Sequence, residues 1–249
     1  MQAMELLERF VEEVRVVEPA AGRVFELLPD GRTTLVFRSL EGGRDGDVTI
    51  CGPRTRAKSK AADHIVRAVI VQFKPGWSTP LLGVAASDVT DRHVHLREVW
   101  GRAGDALHHE LLAARTSAEI VAALTRSLVA CAPQIVESAS ARLARRAVRL
   151  LEGDEVRVET VAERLGVTAR HLRRVFLECI GVGPKDYART VRLHRALRLT
   201  RTSSDWGHIA VAAGYYDQAH LITDFRELVG VTPGAFARRS GGIGYLTAT

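Results

Sequence analysis

The sequence predicts an α+β protein with two domains: a small antiparallel β-barrel with flanking helices at the N-terminus, followed by an all-α domain. Up to about residue 78, short runs rich in Val, Ile, Leu and Phe are separated by turn residues, and no helix of ten or more residues fits. After Glu137 the apolar residues follow a helical period. A length of 249 residues and a hydrophobic fraction of 46% are sufficient for two separate cores.

The strands of the N-terminal domain are predicted from β-rich runs that end at turns containing Gly or Pro. Several short strands connected in this way are typical of a small antiparallel barrel or sandwich. The predicted strands are Val24–Leu28, Thr33–Arg38, Val48–Cys51 and Ile65–Phe73.

Helices are predicted to complete the N-terminal domain, because the apolar spacing changes at Thr79. A short helix at Leu96–Trp100 precedes two amphipathic helices at Gly104–Ala114 and Ser117–Ala130. Pro133 closes this region. We therefore divide the chain into an N-terminal domain, 1–133, and a C-terminal domain, 134–249.

The excess positive charge lies in the C-terminal domain. Of the formal net charge of +6, residues 1–133 contribute none, with 17 Lys/Arg and 17 Asp/Glu, whereas residues 134–249 have 18 Lys/Arg and 12 Asp/Glu. Basic residues that neutralise phosphates release counterions, which is the usual reason for such an asymmetry. Many domains that bind no nucleic acid reach this charge, so the partner has to be argued from motifs.

An internal repeat is the most informative feature of the C-terminal domain. Val161–Gly166 matches Ile209–Gly214 at an offset of 48 residues. Five further pairs match at an offset of 49: Leu172 with Leu221, Phe176 with Phe225, Gly181 with Gly230, Pro184 with Pro233, and Tyr187 with Phe236. The second copy therefore has one extra residue just after its glycine. A register kept over so many positions indicates a duplication.

Each copy has the order of residues expected of a helix-turn-helix. A short helix ends at a glycine, Gly166 or Gly214, which can adopt the positive φ of a helix C-terminus. A capping residue, Thr168 or Asp217, then begins a second helix. The Leu and Phe of that helix lie four residues apart and point inward, which leaves the opposite face free for DNA. The two units are predicted at about 139–184 and 200–239.

The segment Pro184–Thr200 between the two units is predicted to be one continuous linker helix, with Pro184 in its first turn. Arginines spaced by three follow its polar side, and we expect Arg192 to contact the DNA backbone regardless of base sequence. A rigid linker would fix the second helices of the two units relative to each other. They would then enter successive major-groove segments about 34 Å apart.

The repeated residues resemble the AraC/XylS family of transcription regulators over about residues 139–239. The resemblance is carried by VAERLGVTARHLRRVFLECIGVGPKDY and by HIAVAAGYYDQAHLITDFRELVGVTPGAF. In the N-terminal domain, LLPDGRTTLVFR and FKPGWSTPLLGVAASDVTDRHVHLREVWG are similar to the cupin-like sensor region of an uncharacterised subgroup of that family. The resemblance implies a double helix-turn-helix behind a cupin-like domain that senses an effector or dimerises.

Analogy with the family places the DNA-reading face of the first unit on the helix that follows Thr168. Arginine can donate two hydrogen bonds to O6 and N7 of guanine, and such contacts read the base sequence. The alternative is that these arginines only neutralise phosphates, and Arg174 could equally pair within the fold. The predicted DNA-binding residues of this unit are Ala169, Arg170, Arg173, Arg174 and Leu177.

The second unit is predicted to read DNA more weakly than the first. The family commonly has a basic residue where Thr223 stands, and Asp224 adds a negative charge beside it. Asp217 is expected to be the N-cap of the helix, and His220 to be structural. The predicted DNA-binding residues are Gln218, Ala219 and Thr223, with Gln218 the best candidate for a base contact.

The sequence predicts no enzyme. It has no Gly-x-Ser-x-Gly, phosphate-loop or dinucleotide motif, and His93-x-His95 lacks further ligands at suitable spacing, so we predict neither metal nor cofactor. Three distant cysteines, Cys51, Cys131 and Cys179, favour free thiols in a reducing cytoplasm over a disulfide framework or a zinc site. No run of about 18 apolar residues is present, so no membrane span is predicted.

We therefore predict a cytoplasmic, bacterial-type transcription regulator that binds double-stranded DNA in the major groove. RNA polymerase is a partner if the protein is an activator, and a homodimer through the helices at 104–130 is left open. Small barrels can hold one small ligand, which favours an effector in the N-terminal domain, with Arg38, Trp77 and His64 as candidate anchors. The alternatives are a constitutive DNA-binding regulator whose N-terminal domain only dimerises or binds a protein, and, more remotely, a metal-dependent cupin enzyme with a helical accessory domain.

Overall fold

Two facing β-sheets form the N-terminal domain in the computed structural model, which describes residues 7–20, 23–41, 45–132, 135–153, 157–239 and 244–245. One sheet has five antiparallel strands in the order β1-β6-β3-β4-β7, and the other has the order β5-β2-β8. The predicted domain boundary between residues 133 and 134 lies outside the described residues. The strands are β1 (Val11–Val17), β2 (Val24–Leu27), β3 (Thr34–Leu40), β4 (Gly46–Cys51), β5 (Lys58–Ala61), β6 (Ile65–Phe73), β7 (His93–His95) and β8 (Gly244–Tyr245).

The predicted fold class is confirmed, since an antiparallel β domain precedes a helical one, and the four predicted strands are found within two residues at each end. In the described ranges, backbone pairing divides the strands into two sheets. The sequence did not predict β1, β5 or β7. The sequence of β5 is Lys-Ser-Lys-Ala, which has no apolar pattern to detect. Strand β8 pairs in parallel with β2, so residues near the C-terminus extend a sheet of the N-terminal domain.

The two faces of the five-stranded sheet have different roles because side chains alternate along a strand. Leu35 and Val71 are paired across β3 and β6 and are buried in the core of the domain. Their neighbours Val36 and Ile70, also paired, face the three-stranded sheet and line a cavity between the two sheets. One face therefore supplies the core and the other supplies a cavity.

Helices cover the core face of the larger sheet. Leu107, Leu111, Ile120, Leu124 and Leu128 belong to the same buried cluster as the strands. The predicted helices of this region are confirmed within two residues at each end. The helices of the described part of this region are α1 (Ser78–Leu82), α2 (Ala86–Val89), α3 (Leu96–Trp100), α4 (Arg102–Ala113) and α5 (Ser117–Cys131).

Residues 135–153 and 157–239 of the C-terminal domain form helices, and the predicted linker is one continuous helix, α9. The first unit has one buried cluster, which contains Leu172 and Phe176. The second unit has two, one with Leu221 and one with Phe225. None of the helices in the described ranges combines the length and the apolar content that a membrane crossing needs. The helices are α6 (Ala139–Glu152), α7 (Val158–Arg164), α8 (Ala169–Ile180), α9 (Pro184–Leu199), α10 (Trp206–Ala213), α11 (Gln218–Val229) and α12 (Pro233–Arg239).

The loop between β2 and β3, residues 28–33, packs against the linker helix α9 and so connects the N-terminal domain with the C-terminal domain through non-covalent contacts. Leu28 is 0% exposed and belongs to the buried cluster of the second unit, together with Leu193 and Phe225. The Nε2 atom of His194 on α9 lies 2.6 Å from the carbonyl oxygen of Pro29. Burial lowers the pKa of His194, so its neutral ring donates this hydrogen bond near pH 7.

A second set of contacts joins the first unit to the N-terminal domain. The guanidinium of Arg145 on α6 lies 3.8 Å from the ring centroid of Trp77 and donates to the carbonyl oxygen of Gly76. The Thr90 hydroxyl, at the end of α2, donates to the carbonyl oxygen of Gly181 over 2.8 Å. The N-terminal domain therefore contacts both helix-turn-helix units.

The close approach of Gly31 to Tyr187 on α9 gives a test of this interface. Gly31 has φ +63°, and a Cβ atom there would lie 2.6 Å from the Tyr187 ring. Gly83 has φ +76°, but a Cβ atom there would meet nothing within 4 Å. We expect Gly83→Ala to cost about 1–2 kcal/mol of unfolding free energy from backbone strain alone. Gly31→Ala should cost about 1–3 kcal/mol more, because the ring must be displaced.

Urea denaturation followed by circular dichroism measures both variants under the same conditions. Equal losses in the two variants would contradict a tight contact between the β2–β3 loop and α9.

Candidate nucleic-acid interface

Local sequence positions α8, the second helix of the first unit. Gly166 has φ +68° and ends the turn after α7, as predicted. The Thr168 hydroxyl then accepts a hydrogen bond from the backbone N–H of His171 over 3.1 Å, which confirms Thr168 as the N-cap. Leu172 and Phe176 are fully buried, so the opposite face of α8 points to solvent.

The outward face of α8 carries the residues predicted to bind DNA. Arg170, Arg173 and Arg174 are exposed and Leu177 is half-buried, and together they line one open surface depression with Thr168 and His171. Ala169 is exposed at the start of the helix. The positions 170, 173, 174 and 177 recur at helical spacing, which is why they share one face.

The three arginines on this face differ in their partners. Arg174 lies 3.3 Å from Nδ1 of His171 and 3.8 Å from the Glu178 carboxylate on the same helix. No ion pair or hydrogen bond joins Arg170 or Arg173 to any side chain that the structure describes. These two guanidiniums are therefore the better placed to reach an external partner.

The second unit repeats the capping arrangement of the first. Gly214 has φ +91°, and the Asp217 carboxylate accepts from the backbone N–H of His220 over 2.7 Å. The prediction that Asp217 is the N-cap of α11 is confirmed. The His220 ring packs edge-on against Tyr215 with centroids 5.2 Å apart, which agrees with the structural role expected for it.

Asp224 does not lie on the outward face of α11, so the expectation that it adds negative charge beside DNA is wrong. Gln218, Ala219 and Thr223 are exposed, but Asp224 is 6% exposed and faces the linker helix. Its carboxylate accepts from Nε of Arg189 over 2.6 Å. One residue along a helix rotates the side chain by about 100°, which takes Asp224 away from Thr223.

Two residues of the second unit were missed by sequence reasoning. Arg226 is exposed on α11 at the position that corresponds to Leu177, so the second unit also has an arginine on its outward face. The repeat offset of 49 residues pairs Arg226 with Leu177, so the sequence alone could have identified Arg226 as an outward residue. Tyr216, in the turn where the second unit has its extra residue, is 89% exposed beside the start of α11.

Three arginines of the linker helix, Arg189, Arg192 and Arg195, are engaged within the domain. The Arg192 side chain is 14% exposed, lies 3.7 Å from Asp224 and stands over the Tyr215 ring at 5.3 Å. Arg195 donates to the carbonyl oxygen of Glu152 at the end of α6. Burial and the nearby Asp224 raise the pKa of Tyr215, so its phenol stays neutral. The predicted contact of Arg192 with DNA stays a prediction, and this geometry does not favour it.

A cavity of about 100 Å³ lies between the two sheets of the N-terminal domain. Of the three candidate anchors, only Arg38 lines it. Trp77 lies under Arg145 at the domain interface, and the His64 side chain is exposed beside Glu41. The cavity is thus formed by side chains that the tertiary structure brings together from β1 to β7.

Two protein families match the chain in separate parts. A family described as "Helix-turn-helix domain" matches residues 161–239, and one described as "Domain of unknown function (DUF6597)" matches residues 1–95. The helix-turn-helix match covers both outward faces, together with the linker helix between them.

Curated relatives are similar over the C-terminal domain. The HTH-type transcriptional regulator GlxA of Rhizobium meliloti is 42% identical over 82 residues, which are 32% of this chain and 25% of that protein. The HTH-type transcriptional activator RhaR of Pectobacterium carotovorum is 30% identical over 108 residues, 43% of this chain and 38% of that protein. The chain thus spans about a quarter to two fifths of the length of these relatives.

Among solved structures, ToxT from Vibrio cholerae O395 aligns over 95% of this chain and 100% of its own, with a TM-score of 0.48 and 10% identity. With its duplicated and capped helices and its linker helix, the segment 161–239 is an AraC-type helix-turn-helix domain, similar to those of the curated transcriptional regulators.

Proposed function

We propose that the protein is a sequence-specific DNA-binding transcription regulator that responds to a small molecule through its N-terminal domain. The observation that carries the proposal is the outward face of α8, where Arg170 and Arg173 are exposed and free of described partners on a helix held by its cap and its core. A helix presented in this way fits the major groove of B-form DNA.

The proposed base contacts lie on α8, and the second unit supplies a weaker set on α11. Arg170 and Arg173 would donate to guanine edges, and Arg174, which already interacts with His171 and Glu178, would contact a phosphate. Ala169 and Leu177 would make apolar contacts. On α11, Gln218, Ala219 and Thr223 would face the bases, joined by Arg226.

Further partners are part of the same proposal. The regulator would act in the cytoplasm, and RNA polymerase would be its partner if it activates transcription. A homodimer through α4 and α5 stays open. The division into domains 1–133 and 134–249 also stays a proposal, as do the unit bounds of about 139–184 and 200–239.

Arg173→Ala tests the assignment of α8 as the reading helix. We expect this variant to lose about 1–3 kcal/mol of discrimination at one or two base pairs, because one bidentate contact with guanine is removed. The matched control is Arg102→Ala, which removes the same charge from an exposed position at the start of α4. The control should keep the affinity and the sequence preference of the unchanged protein.

In vitro selection from a random DNA pool at defined salt, with the full chain, provides the measurement. The expected result is one strong block of about five base pairs and a weaker block about one helical turn away. If Arg173→Ala lowers binding to specific and random DNA equally, the residue is a phosphate contact and α8 does not read bases through it.

The proposed response to an effector depends on the β2–β3 loop. Asp30 of this loop lines the cavity between the sheets, while Leu28 lies in the buried cluster of the second unit. Asp30 and Leu28 are two residues apart, so a ligand that displaced Asp30 would also displace Leu28. The contacts of Leu28 with α9 and α11 would then change. Ligand binding would shift the population between arrangements of the two units that differ in DNA affinity.

Leu28→Ala tests whether the N-terminal domain holds the second unit. Truncating a fully buried leucine costs about 2–5 kcal/mol. Because Leu28 packs against Phe225, Leu228 and Phe236, we expect faster amide hydrogen exchange in α11 and α12 than in α7 and α8.

Leu35→Ala is the control, since Leu35 is equally buried but lies in the core of the N-terminal domain. It should speed exchange in the five-stranded sheet and leave α11 and α12 unchanged. Identical exchange maps for the two variants would argue against a tie between the loop and the second unit.

A further inference from the structure

The cavity between the two sheets has apolar walls. Phe25 and Leu27 of β2 line it from the three-stranded sheet, and Val36, Ile65 and Ile70 line it from the five-stranded sheet. An empty cavity of about 150 Å³ with such walls can hold benzene, so this one, at about 100 Å³, suits an apolar body smaller than benzene, such as a short branched alkyl chain. Sugars and other polyols would leave most of their hydroxyl groups unpaired against these walls.

Cationic side chains gather around one end of the cavity. Arg38, Arg54 and Lys60 all line it and all act on the thiol of Cys51. Two of the three are neutralised within the fold. Arg38 pairs with Asp47 at 2.7 Å, and Arg54 lies 3.8 Å from Asp30.

Among the residues that the structure describes, Lys60 has no neutralising partner. In the same ranges, its ammonium forms no ion pair with a carboxylate and no hydrogen bond to an acceptor. Burial and the neighbouring Arg38 lower the pKa of Lys60, because its charged form loses hydration and is repelled by a second cation. A negative charge brought into the cavity would remove this imbalance.

The groups around Lys60 supply no unpaired negative charge, because Asp47, which favours the charged form of Lys60, is already paired with Arg38. Nδ1 of His93 lies 3.2 Å from Sγ of Cys51, and both side chains line the cavity. Burial raises the pKa of the Cys51 thiol, so it stays neutral near pH 7. Burial and Lys60 lower the pKa of His93, so its ring is neutral too. Neutral groups here can donate hydrogen bonds to an anion without adding charge.

A second unsatisfied group lies deeper in the same cavity. Gln72 is 1% exposed and donates through Nε2 to Asp30 over 3.2 Å. Its Oε1 atom is buried and has no hydrogen-bond partner in the described structure. Buried acceptors are almost always paired, so this oxygen indicates a donor that comes from outside the chain, such as a ligand hydroxyl or a water molecule.

We propose that this cavity binds a small apolar organic acid as its carboxylate, with the carboxylate against Lys60 and the apolar body between Phe25 and Ile70. The inference rests on the proposed effector role of the N-terminal domain and names the chemical class of the effector. A charge-assisted hydrogen bond from Lys60 supplies the main polar contact. An amine of the same shape would meet a cluster of cations and is rejected.

Matched pairs of compounds test the class of ligand. The probes are 4-methylpentanoate and 3-methylbutanoate, each with its amide and its amine, titrated by calorimetry into the full chain without DNA. We expect each carboxylate to bind at least about tenfold more tightly than its amide, and the amines not to bind. Because DNA is absent, a negative result leaves the DNA selection experiment intact and separates failure of this inference from failure of the proposed regulator.

Lys60→Met keeps the length of the side chain and removes its charge. This variant should lose the preference for carboxylate over amide, and it should melt no lower than the unchanged protein, since an uncompensated charge is removed. Lys58→Met is the control, because Lys58 is exposed on the same strand and does not line the cavity. The inference is overturned if neither carboxylate binds, if amides bind equally well, or if Lys60→Met keeps the preference.

Discussion

The packing of the β2–β3 loop against the linker helix is the contact on which the arrangement of the whole chain depends. Leu28 completes the core of the second unit, and Gly31 lets the loop lie against Tyr187 because it has no side chain. The first unit is held separately, through Arg145 and Trp77. Both helix-turn-helix units are therefore placed by the N-terminal domain as well as by the helix that joins them.

A buried ionic cluster between the linker helix α9 and α11 holds these two helices together. Asp224 of α11 is neutralised by Arg189 and Arg192 of α9, and Arg195 binds carbonyl oxygens at the end of α6. A buried carboxylate is tolerated only when it is paired, so these contacts fix the angle between α9 and α11. The charges of Arg189, Arg192 and Arg195 are thus used within the fold, whereas Arg170 and Arg173 on α8 are exposed and have no partner among the described residues.

Very few residues separate the cavity of the N-terminal domain from the contact that this domain makes with the second helix-turn-helix unit. Alternation along β3 and β6 sends one set of side chains to the core and the other to the cavity, so the same strands build both. Asp30, which binds Gln72 inside the cavity, is two residues from Leu28 in the second unit. A change at the cavity wall therefore has a short path to α9 and α11, through two residues of backbone and the packing of Leu28.

The sequence by itself determined the duplicated units, their caps and the outward arginines of α8, because helix periodicity and capping depend on residues within a few positions of one another. It did not reveal β5, whose residues Lys58–Ala61 become a strand only through pairing with β2. Tertiary structure alone decided that Asp224 turns inward to Arg189 and that Lys60 faces a cavity without an ion-pair partner among the described residues. Those outcomes depend on which distant residues meet, and local sequence contains no record of such contacts.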